Sequence, residues 1–139
     1  MSLAKSTLPV PVFSMPFKVR DYEVDSEGIV NNARYLNYME HTRHEFCASA
    51  GLSFARMRQL KMSPVVRRVE IDYLRSLGLG QEFTSCLTLT RKGARFIFRQ
   101  WILNADGETV VDALITVVNV IDGKPSRGEE FAAAFGAYL

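Results

Sequence analysis

Residues 25–40 read Asp25-Ser26-Glu27-Gly28-Ile29-Val30-Asn31-Asn32-Ala33-Arg34-Tyr35-Leu36-Asn37-Tyr38-Met39-Glu40. A carboxylate stands ahead of a glycine turn, and an Asn pair follows two aliphatic residues. Asn31 has the residue type of a helix N-cap. From there the chain reaches Ala50 without Gly or Pro, and Gly51 falls where a C-terminal glycine is expected. Leu36, Met39, Phe46, Cys47 and Ala50 lie near one face of that helix. The arrangement supplies two tools for attack on a carbonyl. Asp25 can act as base or nucleophile, and the first free N–H groups of the helix can hold a developing oxyanion.

Working outward, residues 8–16 carry prolines that exclude a helix, so residues 1–12 read as an extended lead-in. Phe17-Lys18-Val19-Arg20 alternates as a half-buried strand does. Asp21 to Val30 is a polar loop broken at Gly28, and Phe54 to Leu60 forms a second short helix. After Pro64 the period changes. Val65 to Leu74, Phe83 to Leu89, Ala94 to Leu103 and Thr109 to Ile121 read as strands. Lys92-Gly93 and Asn104-Ala105-Asp106-Gly107 are hairpin turns. Residues 128–139 close the chain with a short helix. One long helix and one antiparallel meander make an α+β domain, taken as a single unit over 1–139. Strands this long in so small a protein leave an exposed edge, which invites pairing with another copy.

Composition narrows the function. A net charge of +2 gives a nucleic-acid role no support, so an anionic ligand must meet a local basic cluster. No apolar stretch approaches a membrane span, and the N-terminus lacks the apolar core of a signal peptide. Cys47 and Cys86 form no metal-spacing motif and read as free thiols of a reducing cytoplasm.

On position alone, Asp25 is a loop aspartate making an Asx-turn or a cap. Gly28, Asn31 and an orphan N–H on Asn32 shift that balance toward an acyl-transfer site. His41 and His44 lack a third metal ligand nearby and read as solvated helix residues. Glu40 is spaced to pair with Arg43 and His44. Arg67-Arg68, and Arg91-Lys92 with Arg95, are either solvated strand ends or contacts for phosphates. Val65 and Val66 either pack the core or line a pocket.

The stretch from Val19 to Glu40 resembles the hot-dog-fold acyl-CoA thioesterases, and more closely their 4-hydroxybenzoyl-CoA thioesterase group. The matching positions are Asp25, Gly28, Val30, Asn31, Asn32, Tyr35, Leu36, Tyr38 and Glu40. The Arg20-Asp21-Tyr22 start and the Arg43-His44-Glu45-Phe46 helix end also resemble relatives acting on fatty acyl or dihydroxynaphthoyl thioesters. The resemblance implies a curved antiparallel sheet around one central helix, paired into homodimers or tetramers with the site at a subunit boundary. It implies Asp25 as nucleophile or general base and the backbone N–H of Asn32 as oxyanion donor. Tyr35, Val65, Val66, Arg91, Lys92 and Arg95 become the substrate-binding candidates. The substrate is an acyl-CoA or acyl-carrier-protein thioester, CoA enters only as part of it, and no metal or redox cofactor is needed. Some hot-dog thioesterases use a helix glutamate, which makes Glu40 the reserve candidate. A non-catalytic acyl-CoA-binding module and a hot-dog dehydratase are the competing readings. The intact Asp25 argues against the first, and a loop without histidine against the second.

Overall fold

The computed structural model of the chain describes residues 8–139. Strand β1 (Phe13–Lys18) leads to a 3-10 turn at Asp21–Glu23, a long helix α1 (Asn32–Ser49) and a short helix α2 (Phe54–Gln59). Four long strands follow: β2 (Met62–Tyr73), β3 (Glu82–Lys92), β4 (Arg95–Asn104) and β5 (Thr109–Ile121). A two-residue β6 (Lys124–Pro125), a helix α3 (Glu129–Phe135) and a 3-10 turn at Gly136–Tyr138 come last. The strands form one antiparallel sheet in the order β1-β3-β4-β5-β2, with β6 beside β5. Helix plus meander is the layout expected from the sequence.

Local chemistry sets the turns. Asn104 Oδ1 accepts from the N–H groups of Asp106 and Glu108, and the Gly107 N–H donates to the Asn104 carbonyl at 3.0 Å. This closes the β4–β5 hairpin where the Asn-Ala-Asp-Gly signal placed it. Strand β1 starts at Phe13, earlier than the Phe17 start expected, and it contains Pro16. It is an edge strand, where a missing N–H need not break a ladder. The expected lead-in is described only from residue 8; residues 1–7 lie outside the described part.

Helix α1 lies across the concave face of the sheet. Its buried stripe is Tyr35, Tyr38, Met39, Thr42, Arg43, Phe46 and Cys47. Leu36, expected on that face, is instead 37% exposed. Met39, Phe46 and Cys47 are buried as expected, and Thr42 and Arg43 are polar residues of the stripe that an apolar pattern skips. Both are held inside. Thr42 Oγ1 donates to the Tyr38 carbonyl and lies 2.7 Å from Ser85 Oγ on β3. Arg43 Nη1 donates to Gln100 Oε1 on β4 at 2.9 Å, and Gln100 Nε2 donates to the Met39 carbonyl at 3.0 Å. Burial pulls the Arg43 guanidinium below its ordinary value, with Glu40 opposing the shift.

Gln100→Met should therefore leave a buried guanidinium and the Met39 carbonyl short of a partner. We expect a loss of roughly 1–3 kcal/mol, read from urea unfolding with an unchanged m-value. Adding Arg43→Met should recover part of that loss, because no unpaired buried charge remains.

Candidate active site

The segment from Val24 to Val30 is a reversal closed on itself. Val24 bridges Val30, and Ile29 bridges Gly78 at the foot of the sheet. The Asp25 N–H donates to the Ile29 carbonyl at 2.9 Å, and the Gly28 N–H donates to the Asp25 carbonyl at 3.0 Å. Gly28 sits at φ +79°, a conformation that side-chain-bearing residues rarely adopt. Asp25 Oδ1 accepts the Glu27 N–H at 2.9 Å, which orients the carboxylate, and the side chain is exposed. Leu77 pins the reversal to the sheet. Its carbonyl accepts the Val30 N–H at 2.9 Å, and its N–H donates to the Tyr35 hydroxyl at 3.0 Å.

Helix α1 begins where the reversal ends. Asn31 caps it, with Oδ1 accepting the Ala33 N–H at 2.9 Å, and the Arg34 N–H donates to the Asn31 carbonyl at 2.9 Å. That accounts for two donors of the first turn and leaves the Asn32 N–H, which no group accepts among the described residues. The Asn32 carbonyl accepts from the Tyr73 hydroxyl at 3.2 Å. The entrance of α1 is thus tied to the end of the edge strand β2. Asp25 and Asn32 stand at the two ends of one pinned reversal.

The other candidates fall in different places. Tyr35 is buried at 2% exposure with its hydroxyl engaged by Leu77, so it supports the reversal from below. Val65 and Val66 lie exposed on β2, not in the core. Arg91 is committed inside the chain. Its guanidinium donates to the carbonyls of Gly93 and Arg127 and to Glu129 Oε1, and it sits 5.7 Å from the centre of the Phe96 ring. Lys92 and Arg95 are exposed, and they share a hollow of about 570 Å³ with Arg67, Arg68 and Glu70. The sequence shows two separate basic clusters. The register Arg95↔Val118 and Val65↔Val118 joins them, and no local signal reports such a pairing.

His41 lies 3.8 Å from Glu45 and packs against Phe17. His44 packs against Phe54, and burial pulls its pKa below the ordinary value. The pairing of Glu40 with Arg43 does not form, because Arg43 turns inward to Gln100. Glu40 is exposed on α1. No group of three or more His, Cys, Asp or Glu that could hold a metal occurs among the described residues. A second hollow, about 910 Å³, is lined by Phe17, Arg20, Glu23, Tyr38 and His41 among others, and neither Asp25 nor Asn32 borders it. Its aromatic floor is core packing: Phe17 stacks on Phe83 at 5.1 Å, and the Tyr38 hydroxyl donates to Glu23. Cys47 and Cys86 are buried, and burial pushes both thiols up to about 11. Protonated at neutral pH, they are poor nucleophiles. No helix among the described residues is long and apolar enough to cross a membrane.

A curled antiparallel sheet around one helix is the hot-dog fold. Residues 19–137 match the thioesterase-like superfamily, and the chain belongs to it. The long-chain acyl-CoA thioesterase FadM of Escherichia coli is 37% identical over 73% of this chain and 77% of its own length. The acyl-acyl carrier protein thioesterase ATL2 of Arabidopsis thaliana is 34% identical over 73% of this chain. The chain spans only 35% to 55% of the length of the curated Arabidopsis relatives it matches. The crystal structure of the hypothetical protein AQ1494 from Aquifex aeolicus superposes with a TM-score of 0.81 at 27% identity, over 88% of this chain and 98% of that one.

The buried thiols make stability depend on alkali. Their pKa rises from 9.0 to about 11 on folding. Between those values the unfolded chain loses protons that the folded chain keeps, so stability falls as pH rises through that window. Tyr35 and Tyr38, whose ionisation burial also delays, add slope of the same sign at its upper end. The urea midpoint should hold steady between about pH 7 and pH 9 and drop above it. A thiol reagent at pH 8 should label neither cysteine until the chain is unfolded.

Proposed function

We propose that this chain hydrolyses a thioester of CoA or of acyl-carrier protein to a free acid and a thiol. The observation that carries the reading is the pairing of Asp25 with the unengaged Asn32 N–H across one pinned reversal. Water adds to the thioester carbonyl as Asp25 takes its proton, or the Asp25 carboxylate adds itself and water then opens the anhydride. The Asn32 N–H donates to the oxygen that gains charge, a contribution of about 3–4 kcal/mol to the barrier for donors of this kind. Collapse of the tetrahedral adduct breaks the carbon–sulfur bond: on the first route the thiolate leaves with the proton that Asp25 took from water, and on the second its departure forms the anhydride, whose opening by water supplies the proton. Nothing in this sequence calls on a metal or redox group.

Lys92 and Arg95, together with Arg67 and Arg68, are the cations for the phosphates of the leaving thiol. Arg91 holds the hairpin that carries them, and Tyr35 holds the reversal. Val65 and Val66 border the acyl group in a homodimer or tetramer whose site lies at a subunit boundary. The names of the relatives support both thiols, and the Asp25-to-Glu40 signature favours the 4-hydroxybenzoyl-CoA type within the superfamily. Free thiols fit a cytoplasmic setting. The dehydratase reading loses ground because His41 and His44 pack against Phe17 and Phe54, away from the Asp25 reversal.

A panel of aromatic, short-chain and long-chain acyl-CoA thioesters, read by thiol release, tests the reaction. Binding without release of any thiol would favour the non-catalytic module.

Asp25→Asn should cut kcat by roughly a hundredfold or more. The amide oxygen can still accept the Glu27 N–H, so the fold should survive with at most about 1 kcal/mol lost. A folded variant with near wild-type turnover would move the role to Glu40.

Lys92→Ala with Arg95→Ala should raise KM for CoA thioesters more than it lowers kcat. The same change should flatten the dependence of KM on salt. An unchanged KM would return both residues to the solvated surface.

A further inference from the structure

The bonds that shape the first turn of α1 do not place it. The N–H groups of Ala33 and Arg34 both donate to Asn31, so those contacts stay within the turn. Helix ends fray, and a turn held only by its own cap is free to swing. Among the described residues, two side-chain hydrogen bonds tie this turn to β2 and the connection that follows it. The Tyr35 hydroxyl accepts the Leu77 N–H, and the Tyr73 hydroxyl donates to the Asn32 carbonyl at 3.2 Å. A single tie leaves a pivot, and the second removes it.

Tyr73 is a firm base for its tie. It ends β2 opposite Val111. Immediately after it, the N–H groups of Leu74 and Arg75 both donate to the Val110 carbonyl, at 2.8 and 3.1 Å. Arg75 also pairs with Glu108 at 3.1 Å. The Tyr73 ring meets the Tyr35 ring at 5.9 Å, with the planes 61° apart. Packing thus sets the ring, and the residue is still 43% exposed. A phenylalanine would make the same ring contact, so what the tyrosine adds is its hold on Asn32.

We infer that Tyr73 is a positioning residue for the oxyanion donor: its hydroxyl grips the Asn32 carbonyl so that the N–H of the same residue keeps its aim. This rests on the hydrolysis proposed above. The N–H and carbonyl of a helical residue point opposite ways along the axis. A grip on the carbonyl therefore fixes the line of the N–H and leaves that N–H clear for the substrate. Such a donor counts in the transition state because its direction is settled before charge develops. Tyr73 acts through Asn32 and touches no reacting atom.

Tyr73→Phe keeps the ring and removes the tie. It should lower kcat about tenfold while KM changes less than about twofold, because a misaimed donor is felt in the transition state alone. A wild-type kcat overturns the inference, and so does a change confined to KM.

A comparison with Asn32→Pro separates aiming from packing. Proline is favoured at the first helical position, and Asn31 already has the extended backbone that precedes a proline. The variant loses the N–H and keeps the carbonyl for Tyr73. The probe is a trifluoromethyl ketone thioether of CoA, whose hydrated carbonyl mimics the tetrahedral adduct. The control is the matching trifluoropropyl thioether, which has no carbonyl. Calorimetry reads both without turnover. The ketone should bind Tyr73→Phe about tenfold more weakly than wild type, in line with the loss of kcat. It should bind Asn32→Pro and the double variant equally, since no donor is left to aim. The control should bind all four proteins alike. Equal losses for both compounds, or a full further loss in the double variant, make Tyr73 a packing residue and overturn the inference. Circular dichroism checks each fold. Should Asn32→Pro not fold, the ketone and its control on wild type and Tyr73→Phe decide by the same split.

A wild type that hydrolyses no thioester overturns the proposed function, and the tie is then read by hydrogen exchange. Tyr73→Phe should speed exchange of the Ala33 and Arg34 N–H groups several-fold and leave those of β4 unchanged. Unchanged exchange at Ala33 and Arg34 overturns the tie itself.

Discussion

The two backbone groups of Leu77 set the position of the Val24–Val30 reversal and of the entrance of α1. The residue is fully buried, its carbonyl takes the Val30 N–H, and its N–H goes to the Tyr35 hydroxyl. A buried peptide group left unpaired would cost roughly 1–3 kcal/mol, so both bonds are strongly enforced. One bond fixes the last residue of the reversal, and the other fixes the first turn of α1. The carboxylate of Asp25 and the amide of Asn32 are thereby held by the same peptide neighbourhood, although neither touches Leu77.

Rotation of α1 about its own axis is the other freedom that must be removed, because it decides where the Asn32 N–H points. An apolar stripe alone tolerates small rotations. The Arg43–Gln100–Met39 relay and the Thr42–Ser85 contact do not, since a turn of the helix would strand buried polar groups in low dielectric. The polar residues of the stripe therefore act on the direction of the helix as well as on its stability.

Those residues also mark where the sequence stops being readable. The helix from Asn31, its glycine stop and the Asn104–Gly107 hairpin follow from chemistry confined to a few neighbouring residues, and the fold follows with them. Asp25 and the orphan amide of Asn32 belong to the same class, because an Asx-turn, a glycine reversal and an N-cap are all local. Arg43 and Thr42 inside, and Leu36 outside, depend on Gln100 and Ser85 more than forty positions away. Arg91 looked like its neighbours Lys92 and Arg95, but its acceptors are supplied largely by the segment around Arg127 and Glu129. The union of the two basic clusters rests on strand register, which periodicity does not specify.

One helix cannot cover a sheet of this width. With α1 buried against the middle strands, β2 keeps its concave face open, and Tyr73 at the end of that strand holds the entrance of α1. The reversal bearing Asp25 is consequently built beside an uncovered edge. Covering the edge with a further helix of the same chain would bury the carboxylate and raise the cost of its charge. The shortage of covering helix and the placement of the site are thus one constraint seen from two sides.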